Sequence, residues 1–248
     1  MQNTDDSVPS ALVWLRRDLR CDDHAALYHA LRRYKKVYCA FVFDTDLLDA
    51  LPTRVDRRVE FIHESVLELN SSLQALAARS GVRGGGLIVR HGPAVQCIVQ
   101  LAQELGVREV LANRDYEPEA IARDRIVADA LRAAGVGFSD YKDHALLDRD
   151  EVLTQQGRPY SVFTPYYRAW LQKLDDFQLK PYPIECYAHH LAPRPAGQIL
   201  PALADLGFAP TNLRDLALPT GTSGAQRLLQ DFLPRMSAYQ EARDYPGR

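Results

Sequence analysis

The sequence predicts an α/β protein built on a doubly wound, five-stranded parallel sheet of Rossmann-like type, and three observations carry that prediction. Five short apolar, β-rich runs fall at 11–15, 37–43, 86–90, 109–112 and 136–141. Helical patterns separate these runs in regular alternation. Parallel strands need crossover connections, and such crossovers are right-handed, so the alternation fits an open sheet covered on both faces. After residue 141 the alternation stops, and a Pro-rich connector leads to the start of an all-helical segment.

Each element has its own warrant. The first run, ALVWL, has the length and bounds of a buried strand. Asp22 or Asp23 stands where a helix running to about Arg33 needs an N-cap. After the second run, Val55, Val59, Ile62, Val66, Leu69, Leu73 and Leu76 recur at steps of three and four, predicting a long helix. The third and fourth helices fall at 93–105 and 118–134, the last with Pro118 in its first turn and Gly135 just past its end. In such a sheet ligands sit beyond the carboxyl ends of the strands, here 16–18, 43–46, 91–92 and 113–117.

Between residues 181 and 219 lie seven of the chain's fifteen prolines, a density that excludes regular helix or central strand and predicts a connector lying on a domain surface. Helical spacing returns with Ala225, Leu228, Leu229, Phe232, Met236 and Tyr239. A lone amphipathic helix does not bury its apolar face, so this one packs back on the α/β unit or on a partner. The expected division is therefore an α/β domain at 10–141, a connector at 142–221, and the start of a helical segment at 222–248.

The chain has 248 residues, 46% hydrophobic and 25% charged, with a formal net charge of −2. That excludes a low-complexity chain and a global basic footprint for nucleic acid, so any DNA contact is local or made by a part outside this sequence. Its four cysteines, Cys21, Cys39, Cys97 and Cys186, form no CxxC pair, which argues against a zinc site or disulfide framework. The polar opening MQNTDDSVPS has no apolar signal core, and no stretch nears the roughly 18 apolar residues of a membrane span. A soluble, cytoplasmic monomer with no membrane partner is expected.

Several motifs fail on inspection. The glycine run at 84–86 has no GxGxxG spacing, and GTSG at 221–224 has no lysine to hold a phosphate. His63-Glu64 opens like a zinc-protease motif, but Leu67 stands where the second ligand belongs. His189 and His190 lie in the connector, and no metal site is expected. More informative is VWLRRDLRCDDHAAL, 13–27, where a strand runs straight into a charge cluster. Its plain reading is Asp18 paired with an arginine and an acidic helix cap; its functional reading is one wall of a ligand pocket.

That segment resembles the opening of DNA photolyases and cryptochromes. The resemblance continues in RRVEFIHESVLEL (57–69), ANRDYEPEAIARD (112–124), YSVFTPYYRAWL (160–171) and AYQEARDYPGR (238–248), in family order. It implies the amino-terminal part of a deoxyribodipyrimidine photolyase, a carbon–carbon lyase that repairs pyrimidine dimers with blue light. In that family a reduced FAD in a helical domain donates an electron to a dimer flipped from the duplex. A Thr-Ser-Arg-Leu-Ser-like flavin phosphate loop, the next family element, is not in this sequence, so no catalytic residue is expected here.

The resemblance assigns the α/β domain a second, light-harvesting pigment, with deazaflavin favoured over folate or flavin. Carried over by position, its site involves Arg16, Asp18, Phe43, Asp44, Asn113, Asp115 and Glu117, with Arg57 or Arg58 closing one side. An aromatic face stacks on a planar pigment, and amide and carboxylate groups fix its edges. Tyr239 matches a position at the FAD edge and Arg243 one near the DNA backbone; their plain readings are an apolar-face residue and a solvated charge. Damaged DNA is the implied partner of the full-length protein. Two alternatives stand: a cryptochrome-type photoreceptor, and a free-standing pigment-binding module without catalysis.

Overall fold

The computed structural model describes residues 8–148 and 150–245. Five strands, β1 (Ser10–Leu15), β2 (Lys36–Asp44), β3 (Leu87–Gly92), β4 (Glu109–Asn113) and β5 (Gly137–Tyr141), form one parallel sheet in the order β3-β2-β1-β4-β5. The chain winds outward from β1 through β2 to β3, then crosses back to add β4 and β5. The order therefore reverses beside β1, where a crevice opens above the carboxyl ends.

Side-chain alternation sorts each strand between two layers. Val13, Leu15, Cys39, Phe41 and Leu111 face α1 (Ala25–Arg33) and α3 (Arg57–Arg79). Leu12, Trp14, Ala40, Val42 and Ala112 face α4 (Ala94–Glu104) and α5 (Pro118–Ala133). Strands buried on both faces read as continuous apolar runs, which is why the sequence displays them plainly. A short helix, α2 (Thr45–Leu48), follows β2 directly.

The helix ends differ from expectation in one place. His24, not Asp22 or Asp23, caps α1: its Nδ1 accepts the Leu27 N–H at 3.1 Å. Asp23 instead sits in the left-handed region at φ +43° and its carboxylate accepts the Tyr182 N–H at 2.8 Å. At the far end of α5, Gly135 at φ +75° lets Val136 donate back to the Leu131 carbonyl, as expected of a glycine past a helix terminus.

Beyond β5 the structure adds one element and corrects two expectations. A helix, α6 (Phe163–Lys173), occupies the connector, with Pro165 in its first turn, where a missing N–H costs nothing. The connector also does more than lie on the surface: Ile184, Ala188, Leu191, Leu206 and Phe208 are buried in the α1–α3 core. Between 181 and 219 regular structure is limited to short 3-10 turns, as the prolines demand. Finally, the helix expected over 222–239 is broken. It runs as α7 (Gly221–Phe232), tightens at Pro234, and resumes in a four-residue turn, α8 (Tyr239–Ala242).

The start of α7 is tied to α3. Gly221 N–H donates to Ser65 Oγ at 3.2 Å, and Ser223 donates to Glu68 through both its N–H and its hydroxyl at 2.7 Å. Further along, Leu228, Leu229, Leu233 and Met236 are exposed. Residues 246–248, the end of the matched AYQEARDYPGR segment, lie outside the described residues.

Candidate functional site

A cavity of about 570 Å³ opens over the carboxyl ends of β1 and β2. Its apolar surface comes from Trp14, Phe41 and Phe43 on the strands, Leu47 and Leu48 on α2, and Ile62 on α3. The Phe41 and Phe43 rings meet edge to face at 4.9 Å and 79°, a favourable quadrupole arrangement that fixes one aromatic wall. Polar groups converge at the rim: Arg16 and Asp44 from strand ends, Arg58 from α3, and Asp115, Glu117 and Arg123 from α5 and its approach. An apolar cleft with a few fixed polar groups is the usual form of a small-molecule site.

The wall around Trp14 is built from two arginines and one carboxylate. Its buried indole lies 4.8 Å from the Arg16 guanidinium and 4.9 Å from that of Arg123. Asp124 binds both arginines, at 2.6 and 2.9 Å, and Arg16 also donates to the Asn113 carbonyl. One carboxylate thereby pairs with both cations and holds them against the ring, adding cation–π attraction to the ion pairs and leaving the trio with one net positive charge.

Carboxylates at the rim are held by backbone donors. Asp44 Oδ1 accepts from Asp46 N–H at 3.2 Å and Ala94 N–H at 3.1 Å, so one side chain caps both α2 and α4. Asp115 accepts from Tyr116 N–H at 2.8 Å and Glu117 N–H at 3.3 Å. Partial burial alone would raise the Asp115 pKa; the two N–H groups and the nearby Arg17 and Arg16 charges outweigh it and hold the carboxyl below its ordinary value.

Not every residue expected at the site reaches it. Arg16, Phe43, Asp44, Arg58, Asp115 and Glu117 line the cavity. Asp18 and Asn113 do not; both are buried and turned toward α1. Asp18 accepts from Arg16 N–H at 2.8 Å, from Asn113 Nδ2 at 2.6 Å and from His24 Nε2 at 2.6 Å. The plain reading of Asp18 as an arginine partner is thus replaced by a backbone N–H, an amide and an imidazole. Asn113 Oδ1 accepts the Ala26 N–H at 2.8 Å, and Asp143 Oδ1 takes the Ala25 N–H at 3.0 Å. With His24 on Leu27, the first three N–H groups of α1 are all engaged by the protein.

The remaining candidates sit elsewhere. Arg57 points away from the main cavity and donates to Asn212 Oδ1 at 2.8 Å in a smaller surface hollow. Tyr239 is 54% exposed and packs edge-on against Phe232, and the exposed Arg243 lies 3.6 Å from Asp244. His63 bonds the Pro201 carbonyl and His190 the Leu31 carbonyl, and no group of three potential metal ligands occurs among the described residues. Sequence reasoning missed Trp14, Arg123 and the α2 leucines. The only signal for the arginine was its place in EAIARD, one turn into a helix that starts at a strand end.

A family model described as DNA photolyase matches residues 11–186. The chain belongs to the DNA photolyase family. It is 33% identical over 95% of its length to a deoxyribodipyrimidine photo-lyase of Halobacterium salinarum, covering 48% of that protein. An uncharacterised 31.6 kDa protein of Synechococcus sp. (strain PCC 6716) is 35% identical over 98% of this photolyase-family chain, which covers 81% of it. Among solved structures, a bacterial class III photolyase from Agrobacterium tumefaciens superposes with a TM-score of 0.77 at 26% identity over 98% of this chain and 48% of its own. An archaeal photolyase from Sulfolobus tokodaii, solved with two FAD molecules, matches 67% of this chain and 35% of its own at 25% identity and a TM-score of 0.54.

The five-stranded sheet and its flanking helices match the photolyase amino-terminal domain. The chain spans about half the length of the curated photolyases it matches. The family binds FAD and an antenna chromophore. No helix among the described residues is long and apolar enough to cross a membrane.

Proposed function

We propose that this chain is the light-collecting part of a deoxyribodipyrimidine photolyase, holding an antenna pigment in the cavity above β1 and β2. The observation that carries this is the cavity itself: about 570 Å³, aromatic and apolar within and polar at the rim, at the switch point of a photolyase-type sheet. When bound, the pigment would absorb near-ultraviolet or blue light and pass the excitation to FAD held outside the α/β domain. Within the cavity, Phe41 and Phe43 form the aromatic wall for a planar ring, Leu47 and Leu48 cover it from α2, and Asp44 and Glu117 take hydrogen bonds from its edges. Deazaflavin remains our favoured pigment over folate or flavin.

In this reading residues 10–141 form the pigment domain, 142–221 the connector, and 222–248 the beginning of the helical FAD domain. Repair of damaged DNA then belongs to the full-length, cytoplasmic, monomeric enzyme, with Tyr239 at the FAD edge and Arg243 toward the DNA. The 31.6 kDa Synechococcus relative, of which this chain covers 81%, favours a second reading, a pigment-binding module working without a flavin domain on its own polypeptide.

The test is the absorption spectrum of the 248-residue chain purified from a host that makes deazaflavins and reduced folates. A copurifying near-ultraviolet or blue band at about one equivalent is expected, lost in Phe43→Ala while the far-ultraviolet dichroism of the fold is retained. Stoichiometric FAD retained in place of such a pigment would overturn the assignment. Blue-light dimer repair after adding the flavin-domain half of a related photolyase separates the enzyme reading from the stand-alone module.

A further inference from the structure

We propose that Arg16 and Arg123 act as a photophysical guard: their charge keeps Trp14 from giving an electron to an excited ligand in the cavity. The excitation then leaves by transfer instead of being quenched at the wall. This rests on the pigment reading above. Among the described lining residues, Trp14 is the only one with an easily oxidised side chain. The chain has twelve tyrosines, yet none is among these lining residues. The other aromatic wall consists of the phenyl rings of Phe41 and Phe43, which resist oxidation. The indole is also the side chain that carries two guanidiniums, 4.8 and 4.9 Å from its ring.

The step to be suppressed is a plain electron transfer. One electron would pass from the indole π system to the excited ligand, leaving a tryptophan radical cation beside a ligand radical anion. Its return to the indole restores both ground states and turns the light energy into heat. No bond breaks, no proton moves and no outside oxidant is needed, since the excited ligand takes the electron and gives it back. A ring whose excited state is a strong oxidant, as that of a flavin is, loses its excitation this way to an unguarded indole in the same wall. Tuning such electronics is a protein's usual contribution to a cofactor's chemistry.

The arginines oppose this step at its first product. A neutral indole attracts them to its face, whereas a radical cation meets the same guanidiniums as like charges. Asp124 pairs with both, which leaves one net positive charge beside the ring. Little solvent screens that charge, because the Arg16, Arg123 and Asp124 side chains are 7%, 21% and 13% exposed. Arg16 does not swing aside, since Asp124 and the Asn113 carbonyl both hold it. The acids of the α5 rim do not cancel the effect: Asp115 and Glu117 lie 3.4 and 3.7 Å from Arg17, and Glu119 is exposed to solvent.

Riboflavin serves as the probe, because its excited ring oxidises indoles and its fluorescence lifetime reads quenching per bound molecule, whatever the affinity. In the full 248-residue chain bound riboflavin should keep a nanosecond emission. Arg123→Gln, or Arg123→Met should the first variant lose its fold by circular dichroism, should shorten the mean lifetime at least about threefold, with a tryptophan radical in transient absorption. Arg123→Lys keeps the charge and should retain most of the parent lifetime. Arg123→Gln placed on Trp14→Phe should match Trp14→Phe alone. Three results overturn the guard while leaving the cavity reading intact: an Arg123→Gln lifetime equal to the parent's, equally short lifetimes in Arg123→Gln and Arg123→Lys, or a short parent lifetime that Trp14→Phe lengthens. Riboflavin that does not bind, or that binds as well to Phe43→Ala, removes the cavity reading and the guard with it.

Discussion

Replacing Asn113 with alanine should destabilise the protein by about 3 kcal/mol, because this side chain latches the end of β4 to the start of α1. Two hydrogen bonds disappear together. The Nδ2 donor to the buried Asp18 carboxylate, at 2.6 Å, is charge-assisted, and bonds to charged groups contribute about 1.5–3 kcal/mol. The Oδ1 acceptor for Ala26 N–H, at 2.8 Å, leaves a buried donor orphaned, costing about 1–3 kcal/mol. The lower ends sum to about 2.5 kcal/mol, and coupling within one network argues against simple addition of the upper ends. For a chain of this size the loss corresponds to about 6–12 °C in Tm. Urea unfolding followed by the fluorescence of Trp14 and Trp170 measures it, and the double-mutant cycle with Asp18→Asn should show at least about 1 kcal/mol of coupling. A loss under about 1 kcal/mol with an unchanged m-value, or additive single and double variants, would refute the latch.

Three further outcomes follow from the same geometry. Burial alone would raise the Asp18 pKa, but the hydrogen bonds from His24 and the Arg16 N–H hold it well below 3.8, so its stabilisation is present above that pH and lost as the pH falls further. Asp18→Asn should therefore show a shallower loss of stability below about pH 3.8 than the parent in acid titrations read by circular dichroism, and a parallel acid limb would contradict this. Burial pushes the Cys39 thiol up to about 12, so iodoacetamide at pH 8 should modify the exposed Cys186 and spare Cys39 until unfolding; equal labelling by peptide mass mapping would count against the core placement. Glu68→Ala removes both bonds to Ser223 and should make α7 the first site of limited proteolysis while the sheet core resists, and unchanged cleavage would show that the tether is not what holds α7.

Much of the sheet was legible because its strands are buried on both faces, which leaves no polar alternation to confuse the reading. Other features depended on contacts distant in sequence. Asp22 and Asp23 looked like the caps of α1, yet Asp23 turns to φ +43° to receive Tyr182 from 159 residues away, and His24 takes the cap. The helix α6 was legible in principle, since Phe163, Tyr166, Tyr167 and Leu171 recur at helical spacing, although the folded chain leaves them exposed. At the candidate site, proximity to a strand end was a sound guide for Arg16, Phe43 and Asp44 but not for Asn113. Long-range contacts make that difference. Asn113 and Phe43 share the face toward α1 and α3, but Asn113 is drawn to α1 by Asp18 and the Ala26 N–H, whereas Phe43 lies near His63 of α3 and lines the cavity. The pairing of Arg16 with Asp124 joins residues 108 apart in sequence, and no local pattern announces it.

Stability and ligand binding at this site are carried by the same atoms. Asp44 satisfies two helix starts, Asp124 immobilises two arginines on Trp14, and Asp115 fixes the turn into α5. Replacing any of them would free a cation or a backbone donor and remove a cap or ion pair from the wall that shapes the cavity. An N-cap replaced by alanine costs about 0.5–2 kcal/mol, and Asp44 serves two helices. Changes at Glu117 and Glu119 carry less of that burden, since the Glu117 side chain makes no cap bond and Glu119 is exposed. Ligand binding should therefore be altered most readily from the α5 rim, whereas changes at the strand ends should show first as lost stability.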